Sequence, residues 1–321
     1  IEVISKIRKI KTIQSNGILD QALIGSDGRV HPTHNQLGTH TSRQTSKDPN
    51  ILGVPGVLRP MIIPSEGYGI GEVDLCQIEI GVTAAYYNDP TLTEMYNSGD
   101  VYSAMAQHFY AKDLSEGDLQ LSGKDFKRLH PEKRSIMKTC TLAIIYGSSS
   151  KGLAAQLNVS ISKANTLLNQ FFAMFPALET AKARTGSCSY RSGYASAISG
   201  IRRNRGNNKA SIGWETRWMI NFPVQGSAAV AFKVAGNRLY RLYPALGGRL
   251  LIPVHDSFVF EAPLENLQGV ANMTGMVLCE CVQEYFPQLR PRADINIQHP
   301  QCWNKDGNAS SVVDWLSLNE K

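Results

Sequence analysis

The sequence predicts an α+β fold, a few strands covered by many helices. Three observations carry this. Two stretches rich in β-formers, GYGIGEVDLCQ (67–77) and GGRLLIPVHDSFVFEAPL (247–264), are bounded by turn residues. Segments of helical period fill much of the chain between and after them. No internal repeat and no low-complexity segment is present. The 321 residues, 42% hydrophobic and 19% charged, suffice for one large domain or two smaller ones of ordinary soluble type.

The elements follow in order. Residues 1–24 begin helically (ISKIRKI) and lose their period near Ser15-Asn16-Gly17. Residues 25–67 are irregular, with turn signals at Ser26-Asp27-Gly28 and Asp48-Pro49-Asn50. So long an irregular stretch binds something or drapes over a core. A strand at 67–77 leads into a helix from Gln77 to Tyr87, and a second helix at 91–111 breaks at Gly99. KRSIMKTCTLAIIYGSSSKG (133–152) holds the next helix, and two more follow around an Asn-Val-Ser turn. RSGYASAISGIRRNR (191–205) alternates as a hairpin with a basic end. A helix over 220–244 carries Pro223 in its first turn, where proline is tolerated. Two β runs then flank a His-Asp-Ser turn, and a helix over 265–285 precedes an irregular tail.

Some function classes drop out. No apolar run approaches about 18 residues, so no membrane span is expected. The start has neither an initiator Met nor a signal pattern, which reads as a fragment or processed piece. The six cysteines form no C-x-x-C pair, and a long disulfide-poor chain suits a reducing compartment. His31, His34 and His40 lie on a loop without i, i+4 spacing and read as solvated. The net charge of +6 favours an acidic partner such as nucleic acid.

Two constellations could carry chemistry. Asp74 stands where a strand yields to a helix and Asp256 at a hairpin tip, so together they could share hard divalent cations. Taken singly, one reads as a turn residue and the other as a helix cap, and for either alone that plainer reading prevails. Arg134, Lys138, Leu142 and Tyr146 stand four apart, within about 120° of arc on a helix. Lys138 to Tyr146 spans roughly 12 Å, about the length of a nucleoside triphosphate. An amphipathic helix with a solvated basic edge would show the same pattern. Arg202, Arg203 and Arg205 could track phosphates, although such clusters also occur on inert surfaces.

Five blocks, in order, resemble the polymerase region of family A DNA polymerases, the DNA polymerase I type. SRQTSKDPNILGVP (42–55) is similar to T-G-R-L-S-S-x-D-P-N-L-Q-N-I-P, and VDLCQIEI (73–80) to motif A, D-Y-S-Q-I-E-L-R. RSIMKTCTLAIIYG (134–147) is similar to motif B, R-x-x-x-K-x-x-x-F-x-x-x-Y-G. INFPVQGSAA (220–229) resembles N-x-P-V-Q-G-T-A-A, and VHDSFVFEAP (254–263) resembles motif C, V-H-D-E-L-V-x-E-x-P.

The resemblance implies a palm sheet with a helical fingers subdomain and most of the thumb missing. It places the end of the thumb at 1–24, palm with motif A at 25–89, fingers with motif B at 90–190, and palm with motif C and the tail at 191–321. It implies two Mg2+ ions, or Mn2+ in their place, on Asp74 and Asp256 with help from the Leu75 carbonyl. Arg134, Lys138, Gln77 and Tyr102 would serve the incoming triphosphate, and Tyr146 would flank the nascent base pair. Glu79 would pack with Tyr146 against a ribose 2′-hydroxyl, and Leu142 would face the 3′ side of the sugar. Arg43, Asn221, Gln225, His255, Tyr194, Arg202 and Arg203 would contact primer, template or nascent pair.

The chain departs from the pattern at four places. Gly81 replaces the motif A arginine, Tyr102 the histidine of Asp-Ile-His, Leu142 the motif B aromatic, and Ser257 the motif C glutamate. The implied reaction is template-directed addition of deoxynucleotides to a primer 3′-hydroxyl, releasing pyrophosphate. The implied partners are primer-template DNA, deoxynucleoside triphosphates and N-terminal domains outside this fragment, with no membrane. The expected location is the cytoplasm, in a nucleoid or as a viral or plasmid replication protein. A catalytically silent DNA-binding remnant and a single-subunit RNA polymerase relative are the alternatives.

Overall fold

A computed structural model of the chain describes residues 24–206, 212–297, 300–304 and 311–314, together with Lys11 and Ile18. The helix expected at ISKIRKI lies outside the described residues. In chain order the strands are β1 (Thr33–Asn35), β2 (Thr45–Lys47), β3 (Tyr68–Leu75), β4 (Tyr194–Ser196), β5 (Arg202–Asn204), β6 (Arg249–Val254), β7 (Ser257–Pro263), β8 (Arg292–Asn296) and β9 (Ser311–Asp314). The chain divides into two compact units, one of Ile1–Cys76, Ala229–Tyr285 and Pro291–Lys321, the other of Gln77–Ala228 and Phe286–Arg290. The second unit is wider than the 90–190 segment expected for fingers.

The first unit is built on an antiparallel sheet of order β6-β7-β3-β8-β9. β3 and β7 are its central, almost fully buried strands, which is why they read as near-continuous runs instead of clean alternation. A Cβ at Gly71 would come within 2.7 Å of the Phe260 ring, so the close pairing of β3 with β7 calls for glycine there. The helix Leu267–Tyr285 packs on β3, β7 and β8 through Val270, Ala271, Thr274, Leu278 and Cys281. Phe232 stacks on Phe258 with ring centroids 4.1 Å apart.

The irregular stretch at 25–67 drapes over this core, one of the two expectations for so long an irregular stretch. It contains the β1–β2 ribbon and two 3-10 turns, Ile51–Gly53 and Gly56–Met61. These deliver Ile51, Leu52, Val54 and Leu58 to a cluster with Ile70, Ile252, Val254, Val259 and Trp303. A buried carboxylate, Glu261, clamps the stretch: it accepts from Arg29 at 2.7 Å, Arg249 at 3.1 Å and the Ser65 backbone at 2.9 Å. Burial alone would raise the Glu261 carboxyl, but the Ser65 and arginine donors outweigh it and hold the group below its usual range.

The tail corrects the sequence reading. Beyond 285 it is not all irregular, because β8 and β9 extend the sheet. Arg-Ala-Asp-Ile-Asn alternates polar with buried apolar residues, but five residues after a proline give too short a signal to stand alone.

The second unit is helical. Gly99 breaks the 91–111 segment as expected, into Pro90–Ser98 and Val101–Phe109, each capped by an aspartate side chain, Asp89 and Asp100. The helix Pro131–Ile145 ends at Tyr146-Gly147, with Gly147 at φ 78°. Helices Ser150–Leu157 and Ile161–Met174 start at serine caps, and Pro176–Ser192 ends at Gly193 in the left-handed region. β4 and β5 form the expected hairpin. Two short helices at Glu116–Leu119 and Gly123–Leu129 were not anticipated.

A second correction concerns Pro223. The helix runs from Ile212 to Leu242, so Pro223 lies in its interior and not in its first turn. Trp218, Met219 and Phe222 bury against Ala195 and Ala197, and that packing outweighs the proline's local penalty.

Candidate active site

In the first unit, Asp74 is the penultimate residue of β3, and Asp256 sits in the two-residue turn between β6 and β7. Antiparallel register places Asp74 opposite Ser257, the neighbour of Asp256. The Leu75 backbone N–H donates to the Asp256 carbonyl at 3.2 Å, so the strand end and the turn are tied together. The turn is tight: Val254 pairs directly with Ser257, and His255 takes φ 53° without being glycine. Both aspartates are half-buried and His255 is exposed.

This donor set fits a hard divalent cation. Two carboxylates at adjoining strand ends, next to a backbone carbonyl, are the oxygen ligands that Mg2+ takes when it keeps waters and phosphates as its other partners. Among the described residues no group of three or more His, Cys, Asp or Glu could hold a metal by itself. His31, paired to Asp27 at 2.9 Å, and His40 are exposed as expected, but His34 is half-buried and burial lowers its pKa, which corrects the solvated reading there. Sequence reading missed Asp294, which lies opposite Asp74 on β8. The Cys76 thiol bonds to Asp294, and burial first, then this carboxylate, pushes the thiol far above its ordinary range.

In the second unit the helix Pro131–Ile145 treats its two cations differently. Lys138 is exposed. Arg134 is engaged: its Nε and Nη2 donate to Asp100 at 2.5 and 3.1 Å, and its guanidinium lies 5.4 Å from the centre of the Tyr102 ring. Burial opposes the Asp100 charge, but the Arg134 fork prevails and holds that carboxyl below its usual range. Gln77, at φ 50°, joins the same network, donating to Asp100 at 2.5 Å and accepting from the Val101 backbone at 3.1 Å. Tyr102 is buried beneath Arg134, so Asp-Val-Tyr here builds a support for the arginine.

At the helix end the Tyr146 hydroxyl donates to the Glu79 carboxylate. Asn221 donates its amide to the Tyr146 carbonyl at 3.0 Å. Leu142 is half-buried one turn earlier. A residue unforeseen from sequence secures this end: the buried Lys182 amine donates to the carbonyls of Ile144 at 3.2 Å and Ile145 at 2.5 Å. Burial pulls its pKa down to about 8.

The residues expected on nucleic acid divide between the units. Arg43, in the first, lies on a loop held by the Gln44 amide on the Pro253 carbonyl and by Lys233 on the Ser42 carbonyl. In the second, Gln225 is half-buried on the long helix, and the β4–β5 hairpin stacks its arginines on aromatic rings. Arg202 lies 4.4 Å over Tyr194, Arg203 4.2 Å over Trp218, and Arg205 4.2 Å over Tyr190. Arg205 is further neutralised by Glu215 at 2.6 Å, which leaves Arg202 the exposed cation of the three.

The antiparallel sheet and the helical unit give a fold of the polymerase palm-and-fingers class. The chain belongs to DNA polymerase family A, whose sequence pattern matches residues 1–305. It is 29% identical over 270 residues to DNA polymerase I of Caldicellulosiruptor bescii, covering 80% of this chain and 30% of that protein. To the thermostable DNA polymerase I of Thermus aquaticus it is 28% identical over 291 residues, 87% of this chain and 34% of the relative. The fold resembles the POL domain of Pol1 from M. smegmatis in complex with DNA primer-template and dNTP. The TM-score there is 0.73 at 25% identity, covering 90% of this chain and 50% of that one. The chain thus spans about a third of the length of the curated relatives it matches. Among the described residues no helix is long and apolar enough to cross a membrane.

Proposed function

We propose that this chain is the palm and fingers region of a template-directed DNA polymerase, adding deoxynucleotides to a primer 3′-hydroxyl and releasing pyrophosphate. The observation that carries the reading is the coupled pair Asp74, near the end of β3, and Asp256, in the turn before the adjoining β7, in a chain of family A. Asp74, Asp256 and the Leu75 carbonyl would hold two Mg2+ ions, or Mn2+ in their place. Such ions, when bound, stabilise charge on the attacking and leaving oxygens of phosphoryl transfer.

The chain's own groups then bind and orient. Lys138, exposed on its helix, meets the triphosphate as a point charge. Arg134 adds a guanidinium whose plane Asp100 has already fixed, so little orientational entropy is lost on contact. Glu79 and Tyr146, bonded to each other, form a wall that leaves no room for a ribose 2′-hydroxyl. Arg43, His255, Asn221, Gln225, Tyr194, Arg202 and Arg203 contact primer, template or nascent pair, phosphate contacts supplying affinity more than sequence preference. No protein nucleophile is required, since catalysis rests on positioning and charge.

Primer extension in Mg2+ with labelled primer-template and the four dNTPs tests the reading. Templated products are expected from the wild-type chain and none from Asp256→Ala; extension that survives this change overturns the assignment.

A further inference from the structure

Glu72 lies two residues before Asp74 on β3, and so on the same face of the strand, about 7 Å back along it. It is 3% exposed, and hydrogen-bond donors meet both of its oxygens. Ser257 Oγ donates to Oε1 at 2.8 Å, and the Trp303 indole N–H donates to Oε2 at 2.9 Å. Ser257 is 1% exposed and Trp303 2% exposed. The register explains the reach: Glu72 pairs with Val259, which makes Ser257 its diagonal neighbour on β7.

Each donor is itself anchored. The Trp303 backbone N–H binds the Ile62 carbonyl at 2.8 Å, and the ring packs in the cluster of Ile51, Leu58, Ile70 and Val259. The Arg59 guanidinium stacks 4.4 Å over the indole, which polarises its N–H toward Glu72. Ser257 carries one hydroxyl proton and has two acceptors near, Glu72 at 2.8 Å and the Val254 carbonyl at 3.1 Å. The charge and the shorter distance favour Glu72.

A buried carboxylate of this kind is expensive, and an apolar residue would serve the sheet better. What it holds is the residue next to Asp256. The Asp256 turn has only two residues and carries strain at His255, so the hydroxyl of Ser257 is where side-chain chemistry can fix the direction of Asp256 from behind.

We propose that Glu72 is a positioning residue for the Asp256 turn, acting through the Ser257 hydroxyl with Trp303 as its anchor. This inference rests on the proposed role of Asp256 at divalent cations. It assigns to β3 a carboxylate that steadies the motif C turn in a chain whose turn has serine beside the aspartate.

The test uses the whole chain and has a readout besides activity: Mn2+ affinity, from the EPR signal of free Mn2+, beside the kcat and dNTP KM of primer extension. Ser257→Ala should weaken Mn2+ binding about fivefold and lower kcat about tenfold, with the dNTP KM within about twofold of wild type. Ser257→Thr, which keeps the hydroxyl, should stay within about twofold of wild type in all three. Glu72→Gln should shift Mn2+ affinity and kcat in the direction of Ser257→Ala. Wild-type Mn2+ affinity and kcat in Ser257→Ala, or Thr behaving as Ala does, overturn the proposal even if Glu72→Gln fails to fold. Asp256→Ala separates the two levels: normal Mn2+ binding in that variant would instead overturn the metal role of Asp256.

Discussion

The Tyr146 hydroxyl donates to the Glu79 carboxylate, joining the end of the helix Pro131–Ile145 to the first turn of the helix Ile78–Tyr86. Tyr146 is fixed a second time through its carbonyl, which accepts from Asn221. The pair is therefore held at two points, and under the proposed function that rigidity would let its bulk discriminate between sugars. Glu79→Ala should admit ribonucleotides at least about tenfold better, a loss of about 1.4 kcal/mol of discrimination. Paired dNTP and rNTP incorporation rates measure it, and an unchanged ratio refutes the role.

Leu142 stands one helical turn before Tyr146 and is half-buried. A leucine offers no hydrogen-bond donor in place of a missing 3′-hydroxyl. The protein should reject dideoxynucleotides, and Leu142→Tyr should relax that rejection while leaving ribonucleotide selection nearly unchanged. Competition between ddNTP and dNTP on one template reads this out.

Asp74→Ala and Asp256→Ala should each abolish extension with primer-template binding largely intact, because phosphate contacts elsewhere supply most of the affinity. Residual rates above about a tenth of wild type, a loss under roughly 1.4 kcal/mol, would rule out essential metal ligands.

Lys138 and Arg134 should differ in kind. Lys138 is exposed, so Lys138→Ala should raise the dNTP KM and lower kcat without moving Tm. Arg134→Ala leaves the Asp100 carboxylate half-buried without its fork, and should cost about 2–3 kcal/mol of stability besides. Thermal melts beside kinetics separate the two. Because Arg134 depresses the Asp100 pKa, this stability is present above the unfolded aspartate value and lost as pH falls through the folded one. The Tm gap between wild type and Arg134→Ala should therefore narrow on acidification.

Much of this was legible in the sequence because motif residues combine local chemistry with fixed spacing. The break at Gly99, the end of the motif B helix at Tyr146-Gly147 and the strand ends bearing Asp74 and Asp256 all follow from local signals. What escaped depends on distant partners. β8 became a strand because β3 offers it an edge, and Asp294 came opposite Asp74 only through that register. Pro223 sits inside a helix because Trp218, Met219 and Phe222 have a core to enter, which no window around the proline reveals. Arg134 read as a free cation like Lys138, since its partner Asp100 lies 34 residues away. Glu72 and Lys182 gave no signal at all. A lone acid in a strand and a lone lysine in a helix look like solvated residues until burial is known.

Lys182 gives the last expectation, one of sign. Its buried amine caps the carbonyls of Ile144 and Ile145, and burial lowers its pKa from 10.5 to about 8. A depressed lysine pKa means that the unfolded chain binds more protons than the folded one between the two values. Folding thus carries a penalty below pH 8 that fades as pH rises toward 10.5. The full penalty is of the order of 3 kcal/mol, from about 1.4 kcal/mol per unit. The carbonyl hydrogen bonds offset part of it, since a charged donor to two helix-terminal carbonyls is favourable. Lys182→Met removes both the penalty and the cap. Against that variant, wild-type stability should therefore improve as pH rises from about 8 to about 10.5, measured as the difference in urea midpoints at constant m-value. A difference that is flat across this window, or that moves the other way, would mean that the amine is not held in a desolvated site at the end of the motif B helix.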